Sequence, residues 1–245
     1  MEFTNNRKKF IKSLQLKKNR VAHGLFLVEG DKLFQELIQS TFEIEEVYAT
    51  KSWLANNQQL ISNNPCVAVS EKELSSISSF KTPQEVIALV RQKKAALSTN
   101  YQQPIIALDN IQDPGNLGTI IRTMDWFGFE NLVCSPTCVE LYNPKVVQAS
   151  MGSIFRINTS YQELPSFLAK HQQFNIYGAV LDGENCFENK LQKENAILLM
   201  GNESNGISKE LYPFISHKIT IPKFGTAESL NVAIATSILC AEFVK

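Results

Sequence analysis

The chain has 245 residues, 44% of them hydrophobic and 20% charged, a balance that fits one large or two modest globular domains and excludes a disordered or collagen-like chain. No uninterrupted apolar run approaches the roughly 18 to 20 residues of a membrane-spanning helix. The basic start MEFTNNRKKF has no apolar core behind it, so no signal peptide is expected and a cytoplasmic location is.

The formal net charge is zero but unevenly spread. Arg7, Lys8, Lys9, Lys12, Lys17, Lys18 and Arg20 stand against Glu2 alone in the first 25 residues. Such a run is either a solvated helix face or a phosphate-contacting arm. It predicts a short basic helix over residues 7–19. LFLVEG (25–30) reads as a strand ending in a turn. DKLFQELIQS (31–40) reads as a helix, with Asp31 as its N-cap and Leu33, Phe34, Leu37 and Ile38 at helical spacing. Strands at IEEVYAT, CVAVS and EVIALVRQ then alternate with helices at KSWLANNQQLI and EKELSSIS. Residues 1–95 are therefore a small α/β domain. The polar, aperiodic stretch around KKAALSTNYQQP ends in proline and gives a linker over 96–103.

A second alternation fills 104–245. Strands are expected at 105–108, 132–134, 154–157, 176–180, 197–200 and 218–221. Helices are expected at 117–127, 144–149, 164–171, 209–214 and 230–243. Strands rich in Ile, Val and Leu, each followed by a helix, predict a parallel sheet with helices on both faces. The five cysteines, Cys66, Cys134, Cys138, Cys186 and Cys240, are odd in number and scattered. They read as reduced, mostly buried thiols, and no second Cys or His pair completes a zinc set, so no metal is expected.

Ligands of open parallel sheets bind beyond the carboxyl ends of the strands. Three such loops carry glycine and polar residues. LDNIQDPGNLGTIIRTMDWFG holds Asn116 and Arg122; Arg122 is either a solvent-seeking side chain or a phosphate or ribose contact. LLMGNESNGIS places Glu203 between Gly201 and Gly206, which suits either a tight turn or a backbone surface that a flat ligand can approach. IPKFGTAESLNVAIATSILC leads through Gly225 to Ser229, Leu230 and Asn231 on the first turn of the last helix, where Ser229 is the plain candidate for the N-cap. The chain has no GxGxxG and no GxxxxGK[ST], so the usual dinucleotide and phosphate-loop fingerprints are missing.

Taken together, the three loops resemble the signature motifs of the SpoU family of RNA ribose 2′-O-methyltransferases, also called TrmH-like, of the SPOUT class. The matching pieces are DPGNLGTIIRT, LLMGNESNGIS and IPKFGTAESLNV, in the family's order, over residues 104–245. Ala233 stands where members often have serine. Residues 7–92, above all FLVEG and the helix after it, resemble the family's accessory RNA-binding domain of the ribosomal-protein L7Ae type. The resemblance implies a trefoil knot in the second domain, a homodimer, and S-adenosylmethionine as cofactor. It implies cofactor contacts from Gly201, Asn202, Ile221, Gly225 and Leu230. Arg122, Asn116, Glu203, Ser229 and Asn231 are implied as the catalytic set, and the seven basic residues of the first 20 as RNA contacts. The implied activity is methylation of a ribose 2′-hydroxyl in a structured RNA, with ribosomal RNA favoured over transfer RNA. A non-catalytic RNA-binding or ribosome-assembly protein with the same fold is the alternative.

Overall fold

In a computed structural model, the apolar runs of the first half build a four-stranded sheet: β1 (Leu25–Glu29), β2 (Ile44–Ala49), β3 (Cys66–Ala68) and β4 (Val86–Arg91). The structure describes all residues except 1, 2, 62, 63, 81, 83, 94–96, 100, 189 and 203. The strand order is β1-β4-β2-β3, with β4 antiparallel to both neighbours and β2 parallel to β3. Around it lie α1 (Asn5–Ser13), α2 (Lys17–His23), α3 (Asp31–Ile38), α4 (Lys51–Asn56), α5 (Gln58–Ile61) and α6 (Glu71–Ile77). This unit comprises Met1–Lys93 and also a later segment, Glu140–Phe155, which holds α8 (Pro144–Ala149).

Three local expectations change. The basic run forms two helices, because the chain turns at Leu14–Leu16 and buries Leu14. Asp31 is the first residue of α3 and not its cap. Gly30 holds that position at φ 104°, a conformation that favours glycine. The Asp31 carboxylate instead accepts from Trp53 Nε1 at 2.9 Å and from Gln35 Nε2 at 2.8 Å. The strand expected at 154–157 is a 3₁₀ turn, Ser153–Phe155. Met151 (φ 49°) and Gly152 (φ 94°) reverse the chain there, and Ile154 and Phe155 are buried as core.

Arg20 shows why the later segment belongs to this unit. It is only 2% exposed. Its Nε donates to Glu140 at 3.0 Å, its Nη2 pairs with the same carboxylate, and its Nη1 donates to the Leu14 and Gln15 carbonyls at 2.8 Å each. Tyr142 packs on Phe26 and Phe155 on Phe42.

The second unit is Lys94–Val139 with Arg156–Lys245. Its strands are β5 (Ile105–Leu108), β6 (Asn131–Cys134), β7 (Asn158–Tyr161), β8 (Asn175–Asn185), β9 (Ala196–Met200) and β10 (His217–Thr220). They form one sheet in the order β10-β8-β9-β5-β6-β7, and every pairing is parallel. The helices are α7 (Pro114–Phe127), α9 (Leu164–Lys170) and α10 (Val232–Val244). Leu164, Phe167 and Leu168 of α9 cover Ile105, Ala107, Ile176, Ile197 and Leu199 on one face. The alternate residues Ile106, Leu108, Leu198 and Met200 point to the other face and are buried too. α7 and α10 pack on each other, joined by Thr123 Oγ1 and Ser237 Oγ at 2.9 Å. The chain is thus an α/β protein whose parallel sheet is flanked by helices.

Glu140→Ala leaves the Arg20 guanidinium buried without its carboxylate. Urea unfolding should show a loss of about 3 kcal/mol, and Arg20→Met in the same background should recover most of it. A loss below about 1 kcal/mol would mean that the ion pair is dispensable.

Candidate active site

The carboxyl ends of the two central strands, β5 and β9, stand side by side because Leu108 pairs with Met200. The loops that leave the two strands are therefore adjacent. Asp109 is 6% exposed. Its N–H donates to the Met200 carbonyl at 2.9 Å, and its Oδ2 accepts the Ser208 N–H at 2.7 Å. Asn110 comes next at φ 59°, a left-handed conformation that Asn tolerates. Its N–H donates to Ser135 Oγ, and its carbonyl accepts Asn202 Nδ2, each at 2.9 Å.

The turn after β9 is tight. Asn202 and Gly206 exchange two backbone hydrogen bonds of 2.9 Å, and Asn202 Oδ1 accepts the Ser204 and Asn205 N–H groups. A Cβ at Gly201 would lie 2.2 Å from the Gly206 carbonyl carbon and 2.3 Å from the Ile207 nitrogen, so only glycine fits. Gly206 has φ 67°. Glu203, expected in the catalytic set, lies outside the described residues.

α7 starts earlier than expected. Asp113 is its N-cap, accepting the Asn116 N–H at 2.8 Å, with Pro114 at the first helical position. At the other helix, Asn231 and not Ser229 is the cap. Asn231 Oδ1 accepts the N–H groups of Ala233 (2.9 Å) and Ile234 (3.3 Å). The same side chain's Nδ2 donates to Asn116 Oδ1 at 2.9 Å. One amide thus starts α10 and ties it to the first turn of α7. The residues from Lys223 to Leu230 are exposed and in no helix or strand, and Leu230 leaves 47% of its surface open. A Cβ at Gly225 would meet nothing within 4 Å.

The structure therefore brings Asn116 and Asn231 together, and Gly201 and Asn202 to the end of β5. Arg122 is not joined to them. Six residues on from Asn116, it is turned about 120° around the helix. It is exposed, with no ion pair among the described residues. Asp109 and Asp113 were not singled out from the sequence. The second had a signal, an Asp directly before a Pro at a helix start; the first did not.

Beneath this rim, Cys138 Sγ accepts the Ile111 N–H at 3.2 Å and contacts the Leu108 carbonyl at 3.3 Å. A hydrogen bond from Cys134 favours its thiolate and brings it down to about 7, against the opposing effect of burial.

The expected basic arm is reduced. Arg20 is buried on Glu140, and Arg7 is half-buried with its Nε donating to Glu46 (2.9 Å) and Tyr48 (2.7 Å). Both guanidiniums thus have carboxylate partners inside the unit. Lys9, Lys12, Lys17 and Lys18 are exposed, and Lys8 is half-buried.

Residues 103–241 match the model of the SpoU rRNA Methylase family, and residues 5–88 match that of the MRM3-like substrate binding domain. The 23S rRNA (guanosine(2553)-2′-O)-methyltransferase RlmP of Bacillus subtilis is 32% identical over 237 residues, covering 96% of this chain and 94% of that one. A solved structure of the TrmH family from Porphyromonas gingivalis is 35% identical with a TM-score of 0.87, over 99% and 98% of the two chains. The AdoMet-bound rRNA methyltransferase of Sinorhizobium meliloti is 28% identical with a TM-score of 0.88, over 99% and 95%.

Two outcomes are expected of this geometry. Asn231→Ala loses all three side-chain bonds and should cost about 1 kcal/mol of stability as a missing cap, whereas Asn231→Asp keeps the cap and loses only the donor to Asn116. Thermal unfolding of the two variants separates the roles; equal losses would leave the Asn116 bond as the dominant one. The favoured Cys138 thiolate contributes stability that is present above the ordinary thiol pKa and is lost as pH falls through about 7. Denaturation of wild type and Cys138→Ser between pH 7 and 9 should therefore show a rise with pH in the first that is flattened in the second.

Proposed function

The chain belongs to the SpoU rRNA Methylase family, and we propose that it transfers a methyl group from S-adenosylmethionine to a ribose 2′-hydroxyl of ribosomal RNA. The observation that carries this reading is the side-chain hydrogen bond that Asn231 donates to Asn116, which joins the first and third family motifs at one rim. Similarity along nearly the whole chain to a 23S rRNA 2′-O-methyltransferase supports the ribosomal substrate.

The residues present fit the cofactor. The exposed irregular backbone of 223–230 offers peptide groups to a polar ligand, the exposed Leu230 offers it an apolar surface, and the Gly201 turn brings backbone where any side chain would clash. Gly201, Ile221 and Leu230 would hold it by backbone groups, with Asn202 and Gly225 shaping the turns. When bound, S-adenosylmethionine supplies a methyl group already activated by a sulfonium charge. The protein then has to align the acceptor oxygen, and alignment of this kind is worth on the order of 7 to 11 kcal/mol. Asn116 and Asn231 fix the two helix starts that form the rim, with Ser229 and Glu203 in the same motifs. Arg122, whose guanidinium carries donors and no acceptor, serves as a donor to the substrate phosphate or the developing alkoxide.

The second unit forms a trefoil knot, a reading supported by β9 lying between strands laid down before it and by α10 returning to α7. The first unit is of the ribosomal-protein L7Ae type and binds RNA, with Lys8, Lys9, Lys12, Lys17 and Lys18 supplying sequence-independent phosphate contacts. The working form is a cytoplasmic homodimer, in which Trp126 of α7, 84% exposed, and Ile234 of α10 are covered.

Calorimetry should show S-adenosylmethionine binding to the wild type, and mass-spectrometric mapping of ribosomal RNA should show one 2′-O-methyl group missing from a deletion strain. Arg122→Ala should slow single-turnover methylation by about 100-fold or more, as removal of an electrostatic stabiliser does, while leaving cofactor affinity within about twofold. No binding at millimolar cofactor would return the chain to a non-catalytic RNA-binding role.

A further inference from the structure

Asp109 is a buried carboxylate outside the residues that the three family motifs assign to the site. Taking such a group out of water costs several kcal/mol, which a neutral acceptor would avoid. Its bonds show what it does. The backbone N–H of Asp109 holds the Met200 carbonyl just before the glycine turn and its carboxylate holds the Ser208 N–H just after it, so one residue at the end of β5 grips both ends of the turn after β9. The next residue extends the grip, because the left-handed Asn110 presents its carbonyl to Asn202 inside the turn. Non-glycine residues in this conformation persist where the surroundings enforce them; here Ser135 Oγ, accepting the Asn110 N–H, is part of that enforcement.

We propose that Asp109 is a positioning residue for the cofactor: its carboxylate, through the Ser208 N–H, holds Gly201, Asn202 and Gly206 in the arrangement that receives S-adenosylmethionine. This rests on the methyltransferase reading. The carboxylate acts at the start of the 3₁₀ turn Lys209–Phe214, where Ser208 is the cap residue but its side chain makes no capping bond. A charged acceptor makes roughly twice as strong a hydrogen bond as a neutral one, so the turn is held firmly without any contact between Asp109 and the reacting atoms.

Ser208 allows the bond to be deleted from its other side. Its φ is −60°, already that of proline. Ser208→Pro removes the N–H together with the hydroxyl and turns a ring methylene toward Asp109 Oδ2, whereas Ser208→Ala removes only the hydroxyl, so the difference between the two isolates the loss of the bond. Loss of one such bond corresponds to about a tenfold weaker complex. Asp109→Ala and Ser208→Pro should each raise the dissociation constant for S-adenosylmethionine, and its KM, by about that factor, with kcat at saturating cofactor reduced less than about threefold. Ser208→Ala should bind as wild type does. Asp109→Asn, which keeps a carbonyl acceptor, should recover part of the affinity, and Asp109→Ala added to Ser208→Pro should weaken binding by less than a further twofold. Unchanged affinity in Ser208→Pro, an equal loss in Ser208→Ala, or multiplying effects in the double variant would overturn the proposal. If Asp109→Ala does not fold, the two Ser208 variants decide alone. Wild-type protein that binds no cofactor would instead overturn the methyltransferase reading, and this inference with it.

Discussion

Everything at the candidate site depends on β9 lying between β5 and β8. Strands far apart in sequence meet in register, Ile105 to Leu108 beside Ile197 to Met200. Both are buried on two faces, as parallel strands are. Such a pair has little freedom to slip, because a one-residue shift would turn each core side chain to the opposite face. The turns that leave the two strands are consequently fixed against each other before any loop interaction forms. The glycine at 201 then finds the Gly206 backbone 2.2 Å from where its Cβ would be, which is a packing limit set by the sheet.

On that base the rim is assembled mostly from amides. Asn116, Asn202 and Asn231 each carry a donor and an acceptor, and each bonds across chain segments or caps a turn. A carboxylate or an ammonium would offer one polarity only. Neutral amides also leave the local potential to be set by the groups around them, Arg122 on the exposed face of α7 and Asp109 below. The division is chemically sensible for a reaction between a cationic donor and a hydroxyl, where charge should be placed at chosen points and not spread along the rim.

The elements themselves were largely legible. Short β-branched runs marked most of the strands close to their observed place, since a buried parallel strand has few other ways to be written. The failures share a cause. Ile154 and Phe155 look like strand residues, yet they come after a reversal at Met151 and Gly152 and fill the core of the other unit. Arg20 looks like one more charge in a basic run, but its partner Glu140 lies 120 residues away. Ser229 reads as the plain cap, yet the helix starts at Val232 and Asn231 caps it while also reaching Asn116. Within the motifs, residue identities were readable, but which residue served which bond was decided by long-range pairing that local pattern does not encode.

The segment Glu140–Phe155 also bears on how the chain comes into being. Synthesis runs from the N-terminus, and domains usually fold as they appear. Here the first unit lacks α8, Tyr142 and the carboxylate for Arg20 until about residue 155 has been made. By then β5, α7 and β6 have emerged in between. The nascent chain must hold an unfinished first unit, with a buried cation still unmatched, while the start of the second is already being built. Completion of the two units is therefore interleaved in time, and a fragment ending at residue 93 is an intermediate of synthesis rather than a finished domain.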